Sequence, residues 1–231
     1  MSGYRFIIFD ADQTLIDFFE DERRAFRAAF KATGKIAEEK DIVALRKFSD
    51  ENWVELGLTE VHSRHVQKNF HALYERHIRD VANECVVRYG LPRTHTDEVF
   101  FEELCRPAAP LAGALEVAAT LAKRYQLSVA TNGIAKMQRG RLAPFAPYIE
   151  KFFISEEIGA IKPDEAFFSA VLDGLGAKRE ECLMVGDSLA ADIAGANAVG
   201  IDSVFFNRTG MQKSSAATYT IFSLSELLQI L

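Results

Sequence analysis

Apolar residues fall along this chain in two rhythms, and the change of rhythm divides it. Phe6-Ile7-Ile8-Phe9 is an unbroken apolar run of strand length, the mark of a strand covered on both faces. Similar runs recur at Leu127-Ser128-Val129-Ala130, Phe152-Phe153-Ile154, Leu183-Met184-Val185, Ser203 to Phe206 and Tyr219 to Ile221. Helical patterns lie between them, over Ala112 to Arg124, Asp164 to Leu175 (closed by Gly174 or Gly176) and Ala190 to Val199 with Gly200 behind it. A last helix opens at Ser223, with Glu226 three residues on as a capping box. Strands alternating with helices predict an α/β fold: a parallel sheet with right-handed crossovers.

Residues 16 to 94 keep the other rhythm and hold no convincing buried strand. Asp17-Phe18-Phe19-Glu20 reads as a helix start, with Phe19, Phe26, Phe30 and Ala29 on one face and Gly34 at the end. Further helices are expected over Val43–Phe48, Trp53–Leu56 and Arg64–Val86. The expected division is a core of residues 1–15 and 95–231 with an all-helical insert at 16–94.

Composition narrows the function classes. A chain of 231 residues, 48% apolar and 26% charged, reads as an ordinary globular protein with one sizeable core and room for an accessory unit. Net charge is −6 and there is no basic tract, which argues against a nucleic-acid polymer as partner but not against a single nucleotide. The N-terminal residues carry no signal-peptide pattern and no membrane span is visible, so no membrane partner is expected. Cys85, Cys105 and Cys182 are odd in number and lack metal-ligand spacing, which favours a reducing, cytoplasmic setting, with Cys182 as a small buried hydrophobe. The expected assembly is a monomer or a homodimer. Of His62, His65, His71 and His77, only the first two have a helical pair spacing, and no carboxylate trio accompanies them. All four read as a solvated helix face.

The chemistry sits where strands end. The first run stops at Asp10-Ala11-Asp12-Gln13-Thr14. Carboxylates at the end of a buried strand want a cation, and Mg²⁺ is the one held by few carboxylates plus phosphate oxygens. Thr131-Asn132-Gly133, Lys162-Pro163-Asp164 and Gly186-Asp187-Ser188 each follow another strand run, with Asp192 a turn past Asp187. Ligands bind beyond the carboxyl ends of an open parallel sheet, so the four clusters can converge. Their inventory suits a phosphate monoester: an attacking aspartate, a cation, the Lys162 ammonium, the Thr131 hydroxyl and the Gly133 N–H.

These four segments, in order and at this spacing, resemble the signature of the haloacid dehalogenase-like superfamily. Asp10-x-Asp12-x-Thr14, Thr131-Asn132-Gly133, Lys162-Pro163 and Gly186-Asp187-x4-Asp192 are its counterparts. The stretches DADQTL, TNGIAKMQRGRL, ISEEIGAIKPD and MVGDSLAADIAGANAVGID look like the pyrimidine 5′-nucleotidases within it. The resemblance implies a Rossmann-like parallel sheet flanked by helices with an inserted helical cap. It implies Mg²⁺-dependent hydrolysis of a small phosphate monoester, a nucleoside 5′-monophosphate with a pyrimidine base preferred. Asp10 would be the nucleophile and the Asp12 side chain the acid and base. The cation would rest on Asp10, Asp187 and Asp12 (through its carbonyl). Thr131, Asn132, Gly133 and Lys162 would hold phosphate. Thr14 would brace the loop, and Asp192 would support Asp187 or Lys162. Phe18 and Phe19, at the cap hinge, are candidates to stack on a base, with Trp53 behind them. Gln138 and Arg141 match the subgroup without an assigned role. One departure stands out: Gln13 occupies a position usually glycine in the superfamily and often glutamate in the subgroup. Alternatives on the same fold are a phosphatase for a sugar phosphate or phosphoglycolate, a 2-haloacid dehalogenase (in which Asp12 would be idle), and a binding protein without catalysis.

Overall fold

The protein is described by a computed structural model covering residues 3–210 and 216–231. Among these residues six strands form one parallel sheet: β1 (Phe6–Phe9), β2 (Gln126–Thr131), β3 (Lys151–Ile154), β4 (Cys182–Gly186), β5 (Asp202–Phe206) and β6 (Tyr219–Ile221). Their order is β3-β2-β1-β4-β5-β6, and every pairing is parallel. The helices are α1 (Phe18–Ala32), α2 (Glu39–Glu55), α3 (Arg64–Tyr89), α4 (Arg93–Leu104), α5 (Ala114–Leu121), α6 (Ala135–Arg141), α7 (Ser155–Ile158), α8 (Glu165–Leu175), α9 (Ala194–Val199) and α10 (Leu227–Ile230).

Strand periodicity sorts β1 between two cores. Ile7 and Phe9 pack with Leu127, Val129, Leu183 and Val185 beneath α5 and α10. Phe6 and Ile8 pack with Ala130, Cys182 and Met184 beneath Phe167 and Phe168 of α8. β1 is buried throughout, as its unbroken apolar run requires. It also lies where the strand order reverses, the place at which such sheets open a crevice for ligands.

The four helices α1 to α4 form a separate layer around Phe26, Phe30, Ile42, Leu45, Phe70 and Phe100. Asp17 caps α1, its side chain accepting from the Phe19 and Glu20 N–H groups. Phe26, Ala29 and Phe30 are buried as expected, but Phe19 is 43% exposed and leaves that face. The segments expected as two helices, Val43–Phe48 and Trp53–Leu56, fall on the single helix α2, with Leu56 as its C-cap. The helical layer runs past residue 94, because α4 packs on α1 with Phe100 against Phe26 (ring centroids 5.2 Å apart). The chain segments joining layer and sheet run side by side: Asp17 N–H donates to Ala109 O (3.1 Å) and Leu111 N–H to Leu15 O (2.9 Å). No helix among the described residues is long and apolar enough to cross a membrane.

Two histidines correct the sequence expectation. His77 is buried, with ring nitrogens 2.8 Å from Asn52 Oδ1 and 3.3 Å from Ser49 Oγ. His71 is half-buried, its Nε2 2.8 Å from Ser155 Oγ. Hydrogen-bond partners on neighbouring elements offset the cost of taking these rings out of water.

Candidate active site

Asp10 follows β1 directly, and its N–H extends the ladder to Val185 O (2.8 Å). Asp187 follows β4, and Lys162 arrives from the loop before α8. The Lys162 ammonium donates to Asp10 Oδ1 (2.5 Å), Asp192 Oδ1 (2.6 Å) and Ala130 O (2.8 Å). An ammonium has three N–H bonds, and all three are placed. Asp192 sits on a wide helical turn, Leu189–Ile193, and its Oδ2 accepts from Ser188 N–H at 3.0 Å. That seat needs Gly186, where a Cβ would lie 2.2 Å from Asp192 Oδ2. Thr14 donates to Asp187 Oδ1 across 3.4 Å.

One oxygen each from Asp10, Asp187 and Asp192 lies within 4.8 Å of the others. The Asp12 carboxylate is not in this group. Burial pushes the Asp10 carboxyl well up, Lys162 opposes this, and the neighbouring Asp192, Asp187 and Asp12 add to it. Burial and Asp192 push Asp187 up to about 7. Burial alone would lower Lys162, but Asp10 and Asp192 hold it above its ordinary range. Two buried carboxylates on one ammonium, with the half-buried Asp187 beside them, carry surplus negative charge, which a divalent cation fits. Asp192 already has both oxygens bonded, so Asp10 and Asp187 are the residues to face one.

The segment after β2 holds the site together more than it faces a ligand. Asn132 grips the Lys162 backbone, accepting from its N–H (2.8 Å) and donating to its C=O (3.0 Å). Gly133 N–H donates to Ser155 Oγ (3.0 Å) and so is not free for phosphate. What Gly133 supplies is room: a Cβ there would stand 3.0 Å from Gln138 Cγ. Thr131 Oγ1 accepts from Gln138 Nε2 at 2.7 Å.

Asp12 has partners of its own. Gln138 Nε2 donates to its Oδ2 (2.8 Å), and Arg141 Nη2 stands 2.6 Å from its Oδ1, an ion contact without hydrogen-bond alignment. Both partners ride on α6, which Gly140 allows to press against the chain: a Cβ would lie 1.8 Å from Cys105 O. Gln13 adopts a left-handed φ of 59° between Asp12 and Thr14, held by its N–H to Ile16 O (2.8 Å).

Over these groups lies a cavity of about 490 Å³. Asp10, Asp12, Lys162 and Asp187 line its floor, and Phe18, Phe19, Trp53, Phe70 and Tyr74 line its helical side. The Phe19 ring lies under the Arg46 guanidinium (4.5 Å) and the Phe18 ring under that of Arg141 (5.1 Å).

The family model for haloacid dehalogenase-like hydrolases matches residues 4–200. The chain belongs to this family. The pyrimidine 5′-nucleotidase PynA of Streptococcus pneumoniae is 32% identical over 99% of this chain and 95% of its own. The pyrimidine 5′-nucleotidase YjjG of Escherichia coli is 28% identical over 97% and 96%. The putative HAD-hydrolase YfnB of Bacillus subtilis, solved bound to magnesium, superposes with a TM-score of 0.77 at 26% identity, covering 99% of this chain and 98% of that one.

In this haloacid dehalogenase-like hydrolase the four sequence clusters do meet at one place. The sequence reading missed the far wall of the cavity. Phe70, Tyr74 and His77 stand four and three residues apart on α3 and all line it. That spacing puts them on one helix face, the signal from which they could have been found.

Proposed function

We propose that this hydrolase cleaves phosphate monoesters through an aspartyl-phosphate on Asp10, and that its substrate is a nucleoside 5′-monophosphate with a pyrimidine base preferred. The observation that carries this is the pairing of Asp10 with Lys162 at the end of β1, beside Asp187, under an aromatic-walled cavity. A carboxylate attacks a phosphate dianion only where positive charge screens the approach. Lys162 supplies part of that charge. Asp10, Asp187 and the Asp12 carbonyl would hold Mg²⁺, which when bound neutralises phosphate oxygens and screens the attack.

The residues divide the work. An Asp10 oxygen forms a bond to phosphorus as the ester P–O bond breaks, and the departing oxygen takes a proton from the Asp12 carboxyl. A water then attacks phosphorus and gives its proton to Asp12. The P–O bond to Asp10 breaks, inorganic phosphate leaves, and Asp10 and Asp12 return to their starting forms. Asn132 keeps Lys162 in place through its backbone. The helical side of the cavity excludes water and offers flat apolar surface to a base. Two full-length relatives named as pyrimidine 5′-nucleotidases support the base preference.

A panel of nucleoside monophosphates, sugar phosphates and p-nitrophenyl phosphate, assayed with and without Mg²⁺, tests this. Pyrimidine nucleotides should be turned over fastest, chelator should stop turnover, and Asp10→Asn should abolish it. Full turnover in excess EDTA, or an active Asp10→Asn, would remove the mechanism. Purine-selective kinetics would remove the base preference alone.

A further inference from the structure

We infer that Arg141 is a positioning residue for Asp12, and that it ties the orientation of Asp12 to the docking of the first helix of the helical layer. Asp12 cannot act as acid and then as base unless its carboxyl is held at the departing oxygen. Among the described residues its carboxylate oxygens meet Gln138 and Arg141, both of α6.

Arg141 is fully buried. Its Nη2 stands against Asp12 Oδ1 (2.6 Å), its Nη1 donates to Gln138 Oε1 (2.8 Å) and its Nε donates to Asp21 Oδ2 (3.0 Å). Gln138 is set by Arg141 at its oxygen and holds Asp12 with its nitrogen. Thr131 also fixes that nitrogen (2.7 Å), so one contact to Asp12 is the guanidinium itself and the other is oriented jointly by the guanidinium and the end of β2. The other end of that guanidinium is on Asp21 of α1, which also takes Arg24 Nη1 (3.1 Å) and the Ala109 N–H of the returning chain segment (3.4 Å). Arg141 thus joins three parts of the chain: the loop after β1, α6, and α1 at the hinge. The Phe18 ring closes over it from the cavity side.

The planar fork makes the arrangement specific to arginine. A lysine would carry the charge on one nitrogen, whereas here Asp12, Gln138 and Asp21 are met by three separate nitrogens of one plane. If α1 moves away, Asp21 leaves with it and the guanidinium loses the contact that sets its plane. Asp12 is then in its acting orientation only when the helical layer is seated.

The inference rests on Asp12 acting as the acid, and leaving-group dependence separates the two claims. A p-nitrophenolate departs without a proton, whereas the 5′ oxygen of a nucleotide needs one. The quantity to measure is the ratio of kcat/KM for thymidine monophosphate to that for p-nitrophenyl phosphate. Asp12→Asn should lower this ratio by about a hundredfold or more, the scale of general acid catalysis. Arg141→Lys should lower it by at least about tenfold. Asp21→Asn, remote from the reacting atoms, should lower it by about threefold and serves also if Arg141→Lys fails to fold. If Asp12→Asn shifts the ratio while the Arg141 and Asp21 variants lose both activities in equal proportion, Arg141 is only a brace and the inference falls. If Asp12→Asn leaves the ratio unchanged, the acid assignment falls and takes the inference with it.

Discussion

His77 makes the stability of the helical layer depend on pH. Its ring is buried among Trp53, Tyr74, Ser49 and Asn52, with Asp80 and Arg46 the nearby charges. Burial is the main reason its pKa falls from 6.5 to about 4, with Asp80 opposing and Arg46 assisting. Between those values the unfolded chain holds a proton that the folded chain lacks. Stability therefore rises with pH across this window: the contribution is complete above pH 6.5 and is lost as pH falls toward 4. A depression of this size is worth about 3 kcal/mol when fully expressed, of which about 2 kcal/mol has appeared by pH 5. The assay is urea denaturation at pH 8 and pH 5, followed by the fluorescence of Trp53, the single tryptophan, whose ring centroid is 5.2 Å from that of His77. The wild type should lose about 2 kcal/mol more than His77→Gln between the two pH values. Other groups titrate in both proteins and cancel in the difference. Equal losses would mean that the ring is protonated in the folded state, and that its bonds to Asn52 and Ser49 do not keep it neutral.

Two further outcomes are expected. Replacing Phe18 or Phe19 by Ala should lower kcat/KM for pyrimidine nucleotides by about tenfold or more while changing p-nitrophenyl phosphate far less, since a lost apolar wall is worth about 1–3 kcal/mol of discrimination; equal losses on both substrates would make the rings structural. Gly186→Ala should cost activity more than stability, because the new Cβ would stand 2.2 Å from Asp192 Oδ2 and displace the carboxylate that holds Lys162; wild-type kcat in a normally folded Gly186→Ala protein would contradict this.

How much could be read from the sequence depended on whether a position is decided locally. β1 and the three polar clusters that follow other strands were legible because apolar runs that each lead to a polar cluster, four times in one chain, have few explanations. α2 was split in the sequence reading because its buried stripe is Ile42, Leu45, Ser49 and Asn52, half of it polar. Those polar positions are buried only because Glu22 and His77 from other helices meet them, which periodicity cannot show. α4 was hidden for the same reason: Thr96 and Glu103 share its buried side with Phe100 and Leu104. Glu103 is inside because Arg24 reaches it at 2.8 Å. Gly133 failed as a free N–H donor because Ser155, twenty-two residues further on, arrives beside it at the end of β3.

The charges of the site are sorted as well as gathered. Lys162 serves Asp10 and Asp192, while Arg141 serves Asp12 and Asp21. Among the described residues no cationic side chain makes an ion pair with Asp187, whose recorded side-chain partner is the Thr14 hydroxyl. On the proposed mechanism this sorting has a purpose. Asp10 must stay ionised to attack, and an ammonium against it favours that form. Asp12 must exchange a proton twice, and it is held by an amide and a guanidinium that keep its direction while leaving each oxygen a further lone pair. Two aspartates two residues apart on one loop can therefore do different work, because each faces its own cation. The carboxylate without one, Asp187, marks where the missing positive charge belongs, and that is beside Asp10, where phosphate must come.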